Sequence, residues 1–367
     1  MAIVTNGRLE YEMSAIDVTY PDIGKVTYRG SYPLIVSNQW RPAPKQSDCL
    51  TFTGKDSDFT LAASNKTWDG ILEWSTDRNT WTTLAGTEAM QSVDKKLYLR
   101  GKGNTKFGEF SFDNPEDARG VQWVLSAKAD CSGNIQTLLD WENLPTVIST
   151  NFCYFNMFKD CENLTSAPEL PATTLADGCY YSMFEGCTNL TSAPVLPATT
   201  LAMGCYSSMF FKCFSLTSAP ELPATTLADG CYANMFNSCI DLPSAPELPA
   251  TTLAEQCYGS MFMNCSSLRS APELPATTLA IGCYDNMFRS CNSLTTVPEL
   301  PATTLVDECY SWMFGTCREL KVNTTSGNKI FTCPSDIPNA AVYNMFTETG
   351  GKFTGSPMAG NTYYWTE

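Results

Sequence analysis

Apolar residues recur with a period of 26 residues from about residue 145 onward. Two columns of cysteine mark the period. In each repeat a second cysteine follows the first by eight residues. The first cysteines are Cys153, Cys179, Cys205, Cys231, Cys257, Cys283 and Cys309. A position that is apolar in every copy is most simply a column of a continuous core, since one repeat of this size cannot bury its apolar side alone. The pattern therefore predicts a solenoid of seven repeats over residues 153–334.

Within each repeat the apolar spacing predicts two local structures. Apolar residues of the second repeat follow one another at intervals of four: Leu175, Cys179, Met183 and Cys187. That interval fits a helical or irregular turn better than a strand. Pro168 and Pro171, which recur in later copies, forbid a helix there and limit any strand to a short extended piece. Each rung is thus expected to pair an extended piece with a turn of helix.

These residues resemble a known family. The order of prolines, leucines and cysteines is similar to the BspA-like leucine-rich repeats of gut bacteria and mycoplasma. Phe184, Cys187 and Leu190 match that family's aromatic-x-x-Cys-x-x-Leu core, as do their copies. The resemblance covers roughly residues 130–350 and implies a leucine-rich-repeat fold. It says little about function, because such repeats serve adhesins, other surface proteins and phage virion proteins alike.

The array is expected to have a cap at each end. Residues 129–141 resemble an incomplete first rung, within an N-terminal cap over residues 126–152. After Cys317 the period slips, and Ala341 and Thr349 stand where cysteines are expected around Met345 and Phe346. Terminal repeats need a polar outer face. Residues 335–367 are therefore predicted to be a degenerate repeat and a C-terminal cap.

Residues 49–125 have a different pattern, with short segments in which apolar residues lie two apart. The clearest pairs are Leu50 with Phe52, Phe59 with Leu61, and Leu72 with Trp74. This is the period of half-buried strands, and STDRN at 75–79 is typical of a hairpin turn. We expect an immunoglobulin-like β-sandwich here. Residues 1–48, with the stretch NQWRPAPKQ, are interpreted as an arm or anchor and a linker. The predicted fold class is accordingly mixed β and α/β, a sandwich followed by a solenoid of 26-residue rungs.

Charge and composition remove several classes of function. A net charge of −15 disfavours nucleic acid as a partner. The absence of histidine excludes catalysis and metal binding by that residue. The sequence contains no run of about 18 apolar residues, so no membrane span is predicted. The N-terminus does not read as a signal peptide, so we expect synthesis in a cytoplasm unless a leader was removed. No cofactor, no metal and no enzymatic activity are predicted.

Three constant columns admit more than one interpretation. The cysteines have the wrong spacing for zinc, and a column of seven cannot pair fully as disulfides, so we favour free thiols as small apolar fillers. The tyrosine column, such as Tyr180, either packs along the solenoid with its hydroxyls at the rim or stacks sugars. The glutamate column, such as Glu221, is expected to be solvated or neutralised by cations.

Other columns vary from copy to copy and predict a recognition face. Aromatic, apolar and basic residues stand there where other repeats carry small or polar ones, a composition favoured at interfaces. Neutral drift on a solvated face is an equal alternative. The candidate binding residues are Phe155, Tyr181, Phe211, Phe214, Ile240, Met263, Arg289, Trp312 and Arg318.

The functional hypothesis is a non-enzymatic adhesion or structural protein. The resemblance favours a phage virion component, such as a head fibre, capsid decoration or tail-associated adhesin. It would contact other virion proteins through the arm, and a host surface protein or gut glycan through the solenoid. The alternatives are a bacterial cell-surface adhesin whose export signal was removed, and a glycoside-processing enzyme, which needs paired carboxylates. Self-association is left open.

Overall fold

The computed structural model describes residues 49–110 and 117–367, and the backbone of four short strands before them. The chain divides into two compact units, Met1–Asp48 and Cys49–Glu367. In the first unit the strands form two antiparallel pairs, β1 with β2 and β3 with β4. Their bounds are β1 Ile3–Thr5, β2 Arg8–Glu10, β3 Ile16–Tyr20 and β4 Gly24–Tyr28. The stretch NQWRPAPKQ lies outside the described residues, and the role of an arm remains a prediction.

The second unit begins with short strands in several small sheets. Their bounds are β5 Leu50–Gly54, β6 Thr60–Ala63, β7 Ile71–Ser75, β8 Thr82–Thr83, β9 Met90–Gln91, β10 Lys96–Lys102, β11 Gly108–Glu109, β12 Arg119–Gly120, β13 Trp123–Leu125, β14 Ala129–Ser132 and β15 Leu164–Ser166. The largest sheet has the order β15-β14-β5-β10-β7-β8, and a second has the order β13-β6-β9. β11 pairs only with β12. None of these sheets is closed.

The alternation read from the sequence is present in these strands. Leu50, Phe52, Leu61 and Leu72 are fully buried, while Trp74 packs against the core and stays partly exposed. β7 and β8 pair antiparallel on either side of residues 76–81, with Trp74 opposite Thr82. The predicted hairpin turn at STDRN is therefore confirmed.

β14 joins this β-rich part to the repeats. It pairs antiparallel with β5 and parallel with β15, which belongs to the first repeat. A 3-10 helix, Ile135–Leu138, follows it, and Asn134 accepts a hydrogen bond from the backbone N–H of Gln136 at the helix start. Residues 129–134 thus pair in parallel with the first repeat, while their role as an incomplete rung within a cap remains a prediction. The apolar core is continuous from the β-rich part into the repeats.

The expected turn of helix in each repeat is wrong. Apart from that 3-10 helix, no named helix occurs among residues 49–110 and 117–367. The second repeat instead has a positive φ at every fourth residue: Gly178, Ser182 and Gly186, at 57°, 51° and 73°. A residue in this left-handed region ends a helical turn and suits the third position of a type II turn. The four-residue apolar interval is therefore the period of a series of turns, which we call the turn segment (178–187 and its copies).

Backbone hydrogen bonds alternate along each turn segment. Odd-numbered residues of the second repeat bond back three residues, as Met183 N–H does to the Tyr180 carbonyl at 3.1 Å. Even-numbered residues bond to the next repeat, as Tyr180 N–H does to the Cys205 carbonyl at 3.0 Å. Isolated parallel bridges join the extended pieces, for example Thr200 with Thr226. Because polar backbone groups are costly to bury unpaired, this alternation lets the apolar side of the segment be buried.

The constant columns fill the interior between repeats. Tyrosine rings of consecutive repeats are stacked with centroids 5.6–5.9 Å apart. The phenylalanine rings of the Met-Phe pairs stack in the same way, at 5.4–5.9 Å. The prediction that the tyrosines pack is confirmed, but not every hydroxyl of the column reaches the rim. The Oη atoms of Tyr180 and Tyr206 are buried without a hydrogen-bond partner among the described residues.

All seventeen cysteines are free and buried, which confirms the preferred interpretation. In the second column each thiol from Cys187 to Cys317 donates to the carbonyl of the phenylalanine 29 residues before it. The Sγ–O distances lie between 3.0 and 3.2 Å. A thiol is a weak donor, and here it links one repeat to the one before. Cysteine is small enough for this interior position and still offers a proton to the carbonyl.

An eighth copy and a small sheet complete the chain. Phe346 stacks on Phe314, and Tyr310 N–H donates to the Ala341 carbonyl, so the degenerate repeat pairs as the others do. A four-stranded sheet of order β17-β19-β16-β18 lies beside it. Its strands are β16 Lys321–Asn323, β17 Asn328–Thr332, β18 Gly350–Gly351 and β19 Thr362–Thr366. The boundaries predicted for the domains and caps remain predictions.

Candidate recognition surface

The turn segments place the variable columns on one side of the repeats. In the fifth repeat both cysteines, Tyr258 and the Met-Phe pair are buried. The residues between them are partly exposed: Gly259, Ser260, Met263 and Asn264. The residue after the second cysteine is partly exposed or exposed in every repeat. We call these outward positions together the variable face. A ligand that contacts this face would meet residues that differ from repeat to repeat.

Phe155 is a correction to the predicted site, because its side chain is only 4% exposed. The β11–β12 pair covers the first repeat so closely that a Cβ atom on Gly108 would lie 2.6 Å from the Phe155 side chain. Tyr181 belongs to the same covered cluster, with its ring 5.8 Å from Phe155 and 5.9 Å from Phe110. At this end of the array these two aromatic residues therefore contribute to packing.

Four predicted residues belong to the third, fourth and fifth repeats of the variable face. Phe214 and Ile240 occupy the same position in neighbouring repeats and are 38% and 40% exposed. Phe211 and Met263 are partly exposed, and the Lys212 ammonium lies 4.9 Å from the Phe211 ring. We call Phe211, Phe214, Ile240 and Met263 the apolar patch. Large apolar side chains that remain exposed side by side are typical of interaction sites.

A second cluster lies in the sixth to eighth repeats and combines charge with aromatic rings. The Arg289 guanidinium stacks 4.3 Å from the Trp312 ring, and its Nη1 donates to Asn286 Oδ1 at 3.1 Å. Asn286 Nδ2 in turn donates to Asp285 Oδ2 at 2.7 Å. The Tyr343 ring meets Trp312 edge-on at 6.3 Å. We call these five residues the Arg–Trp cluster.

The backbone at Trp312 takes the left-handed conformation that this column of the turn segment has in the other repeats as well. Trp312 has a φ of 52°, in a region that bulky residues rarely adopt. Gly315 leaves room for its ring, because a Cβ atom there would lie 2.7 Å from the indole. Burial raises the pKa of Asp285, although hydrogen bonds from Asn286 and Ser311 act against that shift.

Arg318, the last predicted residue, is exposed and lies outside both clusters. Its Nη2 is 3.8 Å from Glu348 Oε2, and both side chains are mostly exposed. A pair of this kind contributes little to stability. Tyr343, which is 54% exposed, was missed by the sequence analysis. It occupies the same position of the eighth repeat that Asp285 occupies in the sixth. Extending the variable column into the degenerate repeat would therefore have predicted Tyr343 as a binding residue.

The cysteines do not form reactive or metal sites in the structure. Burial raises the pKa of Cys265 to about 12 and of Cys309 to about 11. Thiols with such values are inert as nucleophiles near neutral pH. Over the described ranges, no group of three or more cysteine, aspartate or glutamate side chains is arranged to hold a metal ion. The same ranges contain no helix long and apolar enough to cross a membrane.

Comparisons with known proteins add nothing to the class of protein that the geometry defines. The chain matches no family model, no curated protein and no solved structure. It is a β-rich protein with almost no helix, in which 26-residue repeats bond to one another in sequence order.

Proposed function

We propose that this chain is a non-enzymatic adhesion or structural protein that binds through the variable face of a leucine-rich-repeat solenoid. The apolar patch is the observation that carries the proposal. Phe214 and Ile240 keep about two fifths of their surface exposed in neighbouring repeats, although the same chain buries its constant apolar columns almost completely. Two large apolar residues exposed at the same position of neighbouring repeats are the kind of surface feature that marks interaction sites.

The proposal includes an immunoglobulin-like sandwich before the solenoid and an N-terminal arm that docks onto an assembly. Two open sheets of short antiparallel strands support the sandwich. The resemblance of Phe184, Cys187 and Leu190 to the BspA-like core supports the solenoid. That resemblance also favours a virion component, such as a head fibre, a capsid decoration or a tail-associated adhesin. A bacterial surface adhesin is the second candidate, and it would use the same face.

The ligand is proposed to be a host surface protein or glycan. The apolar patch supplies a desolvated centre of the kind that dominates binding energy at interfaces. The Arg–Trp cluster adds an aromatic ring, a fixed guanidinium and two amide or carboxyl groups within one surface. Such a set can stack on a sugar ring or a side chain and hydrogen-bond to its polar edge.

The test replaces both exposed residues of the apolar patch in the full-length protein. The double variant Phe214→Ser, Ile240→Ser should bind at least about tenfold more weakly to host cells or mucin glycans, as expected when a hot spot is removed. Its thermal midpoint should stay close to that of the parent. Labelled protein and flow cytometry measure the binding, and antibody labelling of purified particles distinguishes a virion from a cell surface.

A matched pair elsewhere on the chain controls for lost apolar area. Met203 and Ile281 are 39% and 45% exposed and belong to the column that precedes the left-handed residue at the start of each turn segment. The double variant Met203→Ser, Ile281→Ser should bind as the parent does. Equal losses in the two double variants, or no loss in the first, would remove the variable face from the proposal.

A further inference from the structure

The proline-rich segments of consecutive repeats form a second repetitive surface away from the variable face. In the third and fourth repeats an open groove of about 530 Å³ lies between residues 219–223 and residues 245–249. A groove of about 300 Å³ lies between the equivalent segments of the first and second repeats. We call this surface the Pro–Glu face, since prolines and the exposed glutamate column line its grooves.

The walls of each groove are apolar and the rim is anionic. Pro220, Pro223, Pro246 and Pro249 line the larger groove, with Pro223 and Pro249 the exposed rings, and proline offers no N–H to an occupant. Glu221 and Glu247 line the same groove and are exposed. In the smaller groove one carboxylate is missing, because Val195 replaces it and is 78% exposed. The two grooves therefore differ by one carboxylate in otherwise equivalent frameworks.

The chain itself shows what neutralises this column at its C-terminal end. Lys329, on β17, places its Nζ 2.8 Å from Glu299 Oε1. β17 is extended here, and its Ile330 carbonyl accepts the N–H of Leu300 at 2.7 Å. The salt bridges formed by residues 49–110 and 117–367 include none at Glu221, Glu247 or Glu273. The interior glutamates thus lack the partner that an extended, lysine-bearing strand supplies at the end.

We propose that the Pro–Glu face docks an extended basic segment of a partner protein. The alkyl stem of each lysine or arginine lies along the proline rings, as long charged side chains do on apolar surface. The charged end then meets a glutamate at the rim. Tyrosine rings of neighbouring repeats are 5.6–5.9 Å apart, and in a β-strand every second side chain points to the same face and lies about 6.4–6.8 Å further on. An extended chain along the array can therefore offer one side chain to each groove.

Charge favours a basic peptide over nucleic acid, anionic lipid or a neutral apolar peptide as the occupant of the grooves. The net charge of −15 repels nucleic acid and anionic lipid. A neutral apolar peptide would leave the two carboxylates of the larger groove without a counter-charge. The docking does not depend on what the variable face binds, so either could be disproved alone.

The test measures binding of fluorescein-labelled octalysine to the full-length protein by anisotropy at low salt. The double variant Glu221→Gln, Glu247→Gln should weaken binding about tenfold. The double variant Glu255→Gln, Glu319→Gln removes the same charge from exposed residues outside the Pro–Glu face and should weaken binding less than twofold. Val195→Glu, which completes the column, should tighten binding about threefold.

Two results would overturn the docking surface. Equal weakening in both double variants would show that octalysine responds to net charge alone. No response in the groove variant, with circular dichroism showing a folded protein, would show that the grooves are not used. Labelled octaglutamate should not bind the parent protein at all.

Discussion

Single residues in this chain are explained by the column they occupy and by what the neighbouring repeat offers them. The tyrosine column shows this most clearly. Tyr154, at its start, donates from Oη to Gln136 Oε1 at 2.9 Å, because the N-terminal rung supplies an acceptor. Tyr206 has equivalent neighbours on both sides, and among the described residues its buried hydroxyl has no partner. The same residue type is thus stabilising at one place and costly at another.

The first prediction compares phenylalanine at these two positions. Tyr206→Phe removes an unsatisfied buried hydroxyl and keeps the ring, so the free energy of unfolding should rise by about 1 kcal/mol. Tyr154→Phe removes a hydrogen bond and leaves Gln136 Oε1 unpaired, so the free energy of unfolding should fall by about 1 kcal/mol. Urea unfolding followed by circular dichroism measures both. Two variants destabilised to the same extent would contradict the difference in hydrogen bonding.

At the scale of the element, the turn segment replaces the helix that the four-residue interval first suggests. Its left-handed residues recur every four positions and are mostly glycine, serine or asparagine. Gly230 is one of them, with a φ of 58° and open space around the position of a Cβ atom. Substitution there tests backbone conformation without a steric clash.

The second prediction concerns Gly230. A β-branched residue is disfavoured in the left-handed region by about 1–2 kcal/mol, so Gly230→Val should lower the free energy of unfolding by that amount. Gly230→Asn, the matched control, should cost less than half as much, since asparagine tolerates this region. Thermal unfolding of the three proteins measures the effect. A series in which asparagine and valine cost the same would argue against a conformational cause.

The sequence could have revealed the turn segment, because the apolar interval and the small polar residues share the period of four. A helix has 3.6 residues per turn, and over Leu175 to Cys187 the two periods are hard to tell apart by apolar residues alone. The glycines and asparagines at fixed intervals argue for left-handed turns. The identity of the core columns was predictable, since the same positions are apolar in every repeat.

The candidate surface was predictable in part. Alternation of inward and outward positions places Phe214, Ile240 and Trp312 on the outside from sequence alone. The burial of Phe155 was not predictable, because it depends on the β11–β12 pair packing over the first repeat from 35 or more residues away along the chain. The grooves of the Pro–Glu face depend on the spacing between repeats, which a single repeat does not contain.

At the scale of the whole molecule, a core that runs through all the repeats makes stability depend on many like groups at once. Both cysteine columns and the tyrosine column are buried. Burial raises the pKa of Cys161 and Cys265 to about 12 and of Cys309 to about 11. The burial that makes each thiol unreactive also means that the folded state is stable only while the thiol is protonated.

The last prediction is a loss of stability in alkali. Unfolded thiols titrate near pH 8.5, so above that pH the unfolded chain has released protons that the folded chain still holds. The free energy of unfolding should therefore be constant from pH 6 to 8 and then fall by about 1.4 kcal/mol per pH unit for each such thiol, up to the folded pKa. Urea unfolding at pH 7, 8 and 8.5 measures the start of this fall, because the slopes of many buried thiols add and would exceed the stability of a typical domain, about 5–15 kcal/mol, before pH 10. Cys239→Ala, Cys265→Ala should unfold more easily at pH 7 yet show a shallower decline, because two of the titrating groups are gone. Stability unchanged to pH 8.5 in the parent protein would mean that the thiols are not buried as the structure describes.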